Sequence, residues 1–112
     1  MIGHTWTRAL IIGVFLAIAA PVWADDPEFS LVIKDHRFTP ADLQIPARTK
    51  VRLVIKNEDP TPEEFESTQL HREKVVPAGQ QIVIIVGPLD AGTYPFFGEF
   101  HKGTAQGKLI AK

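Results

Sequence analysis

The chain has 112 residues, a formal net charge of −1, and 45% hydrophobic against 22% charged side chains. That is one small globular domain with no electrostatic basis for gripping nucleic acid. It contains no cysteine and one methionine, which excludes disulfide frameworks, zinc fingers, iron–sulfur clusters, cysteine nucleophiles and thiolate-bound copper.

The first element is Ala9–Ala20 (ALIIGVFLAIAA), an apolar run preceded by Arg8 and followed by Pro21-Val22-Trp23-Ala24. The run is well short of the ~20 apolar residues that a spanning helix needs. Val22 and Ala24 sit at the −3 and −1 positions of a cleavage site, and Asp25-Asp26 follow at once. The stretch therefore reads as a secretory signal peptide over residues 1–24, leaving 25–112 as one mature domain. Met1 leaves with the signal, so the mature protein carries no sulfur. A bacterial periplasm is the expected destination, with no membrane insertion after cleavage.

From residue 25 onward the pattern has period two. Phe29–Ile33, Lys50–Lys56, Gln80–Val86 and Gly107–Ala111 read as strands; shorter strand candidates are Leu43–Ile45, Glu64–Ser67, Lys74–Val76 and Thr93–Phe97. Turn chemistry separates them at Thr39-Pro40, Ile45-Pro46, Pro77-Ala78-Gly79, Gly87-Pro88 and Ala91-Gly92. No long segment carries a helical stripe. The expectation is an all-β protein, a Greek-key β-sandwich of 7–8 strands, with a small closed barrel as the alternative.

Two segments concentrate chemistry. Asn57–Glu66 (NEDPTPEEFE) holds Glu58, Asp59, Glu63, Glu64 and Glu66. In extended backbone Phe65 points to one side, into the core, and the pair Glu64 and Glu66 to the other. The bland reading is a solvated acidic loop. The second segment, Gly92–Gly107 (GTYPFFGEFHKGTAQG), places Glu99 and His101 on either side of Phe100, and the same alternation turns an imidazole and a carboxylate to one side. Such donors suit iron(II), copper(II) or manganese better than copper(I). Two further histidines are His71, set among charged residues and read as exposed, and His36, which is either a surface residue or a third nitrogen ligand.

Taken together, Phe38-Thr39-Pro40, Leu43–Ala47, Val51–Asp59, Val76–Gly79 and Gly92–His101 with Gly107-Lys108-Leu109 resemble a cupredoxin over essentially the whole of residues 25–112. The resemblance implies copper at one end of a sandwich, bound by an early histidine and by Cys, His and usually Met from the last loop. The Cys position falls on Gly98, the His position on His101, the Met position near Ala105, and the early His position within Glu64-Phe65-Glu66. A type 1 electron carrier is thereby excluded.

What is left is similar to the EfeO-type cupredoxin-like domains of periplasmic iron uptake. That resemblance implies work beside a periplasmic metal-binding protein and an inner-membrane iron permease. The expected ligands are Glu64, Glu66, Glu99 and His101, with His36 as an added candidate, and the expected cofactor is an iron or copper ion. Hard anionic ligands favour iron(III) over iron(II), so bound iron(II) becomes easier to oxidise. A ferroxidase activity stays open, its electron going to oxygen, to a bound copper or to a partner. Three functions follow: an iron-handling protein, a copper(II) carrier using His101 and His36, and a metal-free interaction domain that docks through its acidic loop.

Overall fold

The computed structural model describes Gly3 and residues 26–112; apart from Gly3, the expected signal segment lies outside the described residues. Nine strands follow: β1 Glu28–Lys34, β2 Arg37–Thr39, β3 Asp42–Ile45, β4 Val51–Asn57, β5 Glu63–Ser67, β6 Arg72–Val76, β7 Gln81–Val86, β8 Gly92–Phe97 and β9 Gln106–Ala111, with a 3-10 turn at Glu99–His101. The ninth strand beyond the expected 7–8 is β2, read from the sequence as a bend. It pairs with β1 as a hairpin (Ile33↔Phe38, Lys34↔Arg37), and its central Phe38 is buried.

The strands form two sheets in the orders β2-β1-β4-β7 and β3-β9-β8-β5-β6. Strand pairs β1/β4 and β3/β9 run parallel, so the chain crosses between sheets rather than meandering within one. β4 shows why the layers hold together. Val51, Leu53, Ile55 and Asn57 are buried while Arg52 and Lys56 face water, the alternation that a half-buried strand requires.

Leu31, Ile33, Val51, Leu53, Ile55, Val76, Val86 and Leu109 are at most 2% exposed and fill the space between the sheets. Each contributes about 1.5–3 kcal/mol of apolar burial. Phe38, Phe65 and Phe96 close one end of that core, with Phe38 edge-on to Phe96 (centroids 4.8 Å apart) and Phe65 tilted against Phe96 (5.0 Å). Phe97 and Phe100 lie outside this cluster: Phe97 is partly exposed beneath the Lys102 ammonium, and Phe100 is 48% exposed.

Candidate metal centre

At the Phe38–Phe65–Phe96 end, three segments far apart in sequence meet. β5 begins directly after Pro62, and its first residue, Glu63, lies two positions before Phe65 and so on the same, inward side. Glu63 is 1% exposed. Its carboxylate spans two imidazoles: Oε1 is 2.6 Å from His36 Nδ1 and Oε2 is 3.0 Å from His101 Nδ1. The two rings stack on one another, centroids 3.5 Å apart and 16° from parallel. His36 and His101 stay roughly one-third exposed, 39% and 34% at the side chain, so the buried carboxylate is capped by rings that reach water.

Each histidine is delivered by a tight turn. His36 and Asp35 are the two central residues of the β1–β2 hairpin, both with positive φ (59° and 51°). Such a two-residue turn suits Asn-Gly, and left-handed backbone costs a residue with a side chain about 1–2 kcal/mol. The Asp59 carboxylate accepts the Asp35 and His36 N–H groups at 2.7 and 3.0 Å. Burial would raise the Asp59 pKa, but the His36 and Asp35 N–H donors, a side-chain hydrogen bond with Glu63 and the nearby His36 imidazole together hold the carboxyl below its ordinary 3.8. His101 ends the 3-10 turn that starts at Glu99, and its carbonyl accepts from the Ala105 N–H at 2.8 Å.

That turn separates Glu99 from His101. In a strand they would share a side, but at three residues per turn they point about 120° apart. Glu99 instead joins Glu64, Glu66 and Glu73, whose ligand-capable oxygens all lie within 4.8 Å of one another; His36, Glu63 and His101 form a separate group by the same measure. Glu64 points away from the core, as expected, yet is only 4% exposed, because the 3-10 turn folds over it and the Glu99 N–H donates to its Oε1 at 3.0 Å. Glu73 enters because β6 pairs with β5 in the register Glu66↔Glu73. Glu66 Oε1 is buried with no hydrogen-bond partner, and burial plus the negative charge of Glu64 pushes the Glu66 carboxyl up to about 7.

The residues expected in one site are therefore distributed over two clusters on opposite faces of β5. His101 and His36 meet Glu63; Glu64, Glu66 and Glu99 meet Glu73. Glu63 and Glu73 were not among the expected ligands. Parity with the buried Phe65 was a usable signal for Glu63, while Glu73 depends on strand register, which one sequence does not display. His71 is exposed, as expected.

A His₂Glu donor set beside a carboxylate cluster, at one end of a two-sheet sandwich with no cysteine, defines a metal-binding scaffold distinct from the blue-copper kind. A thiolate does not fit here. Gly98 stands where the resemblance places it, and a Cβ there would come within 2.7 Å of the Glu64 carbonyl oxygen and 3.0 Å of Ala105 Cβ.

The chain belongs to the cupredoxin-like domain family, whose model matches residues 7–111. It is 52% identical over 83 residues to the uncharacterized protein RP394 of Rickettsia prowazekii (strain Madrid E), a match covering 74% of this chain and 66% of that protein's length. Among solved structures it resembles auracyanin A, a blue copper protein from Chloroflexus aurantiacus (TM-score 0.66, 14% identity, 76% of this chain and 98% of the other). It also resembles the metal-binding domain of the Cu(I)-exporting P-type ATPase CopA from Streptococcus pneumoniae D39 (TM-score 0.64, 13% identity, 76% and 84%). At those identities the likeness is one of fold. Among the described residues no helix is long and apolar enough to cross a membrane.

Proposed function

We propose that this is an exported, periplasmic copper(II)-binding protein whose ion is held by His36, Glu63 and His101. The observation that carries the reading is one buried carboxylate facing two imidazole Nδ1 atoms at 2.6 and 3.0 Å. Imidazole nitrogen with carboxylate oxygen is a donor set that copper(II) favours, and at such sites affinity for copper(II) exceeds that for iron(II). Without a soft sulfur ligand the site offers little to copper(I), so the role is carriage or storage of the oxidised ion rather than electron transfer.

Titration of the mature protein with copper(II), followed by electron paramagnetic resonance, tests it. Nitrogen hyperfine structure from two imidazoles is expected in the wild type and from one in His101→Ala. An unchanged spectrum and affinity in both His101→Ala and Glu63→Ala overturns the assignment.

A second reading, iron(II) binding and oxidation within an uptake system with a periplasmic partner and a permease, draws on the other cluster. Four hard oxygen donors and the unpartnered Glu66 Oε1 are the features that favour it. It requires Glu66→Ala and Glu99→Ala to weaken iron(II) binding while copper(II) binding is untouched. Equal iron(II) binding in wild type and both variants removes it.

A further inference from the structure

We infer that Asp59 is a positioning residue for the metal centre: it touches no metal itself but holds the strained Asp35–His36 turn that aims His36 at Glu63. The inference rests on the His36–Glu63–His101 reading. It concerns a residue that no ligand argument would select.

Apart from its ring contacts with Glu63 and His101, His36 is held by little else. It lies in a two-residue hairpin turn, and neither Asp35 nor His36 has the glycine that positive φ favours. An unaided turn of this sequence would exchange with other conformers, and His36 would leave Glu63 in many of them. Asp59 opposes that exchange at both residues, because Oδ1 accepts the Asp35 N–H and Oδ2 the His36 N–H. Charge-assisted bonds to consecutive N–H groups select the curled backbone, since extended residues point successive N–H groups apart.

The clamp is itself rigid. Asp59 is 5% exposed, and its N–H donates to Asn57 Oδ1 at 2.8 Å. Asn57 is fully buried at the end of β4, where its Nδ2 donates to the carbonyls of Thr61 and Val76 at 2.8 and 3.0 Å. The Glu58 N–H donates to the Ile33 carbonyl on β1. The parallel β1/β4 pairing thus sets the acid-bearing loop beside the hairpin turn, with Ile33 opposite Asn57 in register. A line of fixed groups runs from Asn57 through Asp59 to His36, and a ligand held by such a line loses less freedom when an ion arrives.

Asp59 Oδ2 also lies 3.5 Å from His36 Nδ1, so a bare charge effect on cation affinity must be separated from positioning. A double-mutant cycle does so. Asp59→Asn should weaken copper(II) binding about tenfold, the low end for loss of an outer-sphere partner, and reduce the spectrum to one strongly coupled imidazole. In a His36→Ala background the same substitution should cost less than twofold. An equal loss in both backgrounds assigns the effect to charge and overturns the proposal.

A metal-free measurement keeps the question apart from the copper assignment. In the apo protein, nuclear Overhauser contacts between the His36 and His101 rings should vanish in Asp59→Asn while β1/β4 cross-strand contacts persist. Ring contacts that survive the substitution overturn the positioning role, even if copper(II) binds elsewhere. If Asp59→Asn does not fold, Asp35→Gly in the same background, which relaxes the turn at its first position, should restore folding and part of the ring contact. A folded Asp59→Asn/Asp35→Gly chain without any recovery of ring contact overturns it as well.

Discussion

The two faces of β5 carry the same residue type in opposite conditions. On the inner face a single carboxylate, Glu63, is more deeply buried than any other acid among the described residues and has an imidazole at each oxygen. On the outer face four carboxylates crowd together, Glu66 keeps an orphaned oxygen, and its proton is retained to about 7. Two imidazoles face the acid on one side of the strand and other carboxylates crowd the acids on the other, and a one-residue step along a strand is enough to exchange the two settings.

The largest expected effect comes from breaking the inner face. Glu63→Ala should reduce copper(II) affinity by more than the roughly 10–100-fold that follows loss of an outer-sphere partner, because it removes an oxygen donor and the anchor of both imidazoles. Isothermal titration with copper(II) measures this, and an affinity within a factor of three of wild type would put the ion elsewhere. Glu66→Ala, on the outer face, should leave the same titration unchanged.

A smaller effect is expected at the joint between the two clusters. Gly98→Cys drives a side chain against the Glu64 carbonyl and Ala105, and overpacking of this kind costs about 1–3 kcal/mol. Urea unfolding should register that loss, and the copper-loaded variant should show no intense blue band. A stable, intensely coloured Gly98→Cys protein would mean that the backbone yields more readily than its contacts suggest.

The smallest effect concerns the outer face alone, and its sign is definite. The Glu66 carboxyl is raised from 4.5 to about 7, so between those values the folded state holds a proton that the unfolded state has released. Stability from this group therefore falls as pH rises through that window and levels off above it. Glu66→Gln should flatten the decline and leave the protein more resistant to heat at neutral pH, measured by thermal unfolding across the window. Asp59 acts in the opposite sense: its contribution is complete above 3.8 and is lost as pH falls through its depressed value. A Glu66→Gln profile that parallels the wild type would show that other groups set the slope.

Much of this was legible in the residues. The alternation of Val51–Lys56 and the β-branched run of Gln81–Val86 specify strands by themselves, and the buried Phe65 follows from the same parity. The clusters were harder, for reasons of geometry. Glu99-Phe100-His101 carries no mark of a 3-10 turn, so extended parity put its two polar groups together where the backbone sends them apart. His36 lies in a turn whose conformation depends on Asp59, a residue 23 positions away from it. Glu73 meets Glu66 only through a hairpin register. Local pattern decides which way a side chain faces within an element, and long-range pairing decides what it meets.

The span of the inner cluster has a consequence for folding. His36 and Glu63 are 27 residues apart in sequence, and Glu63 and His101 are 38 apart. An ion shared by all three would tie off two long loops at once, in a chain with no cysteine to do so. Binding only to the folded form adds about 2.7 kcal/mol at a free concentration one hundred times the dissociation constant. Metal supply would then govern how long the domain survives as well as what it carries, the ion serving as a removable cross-link.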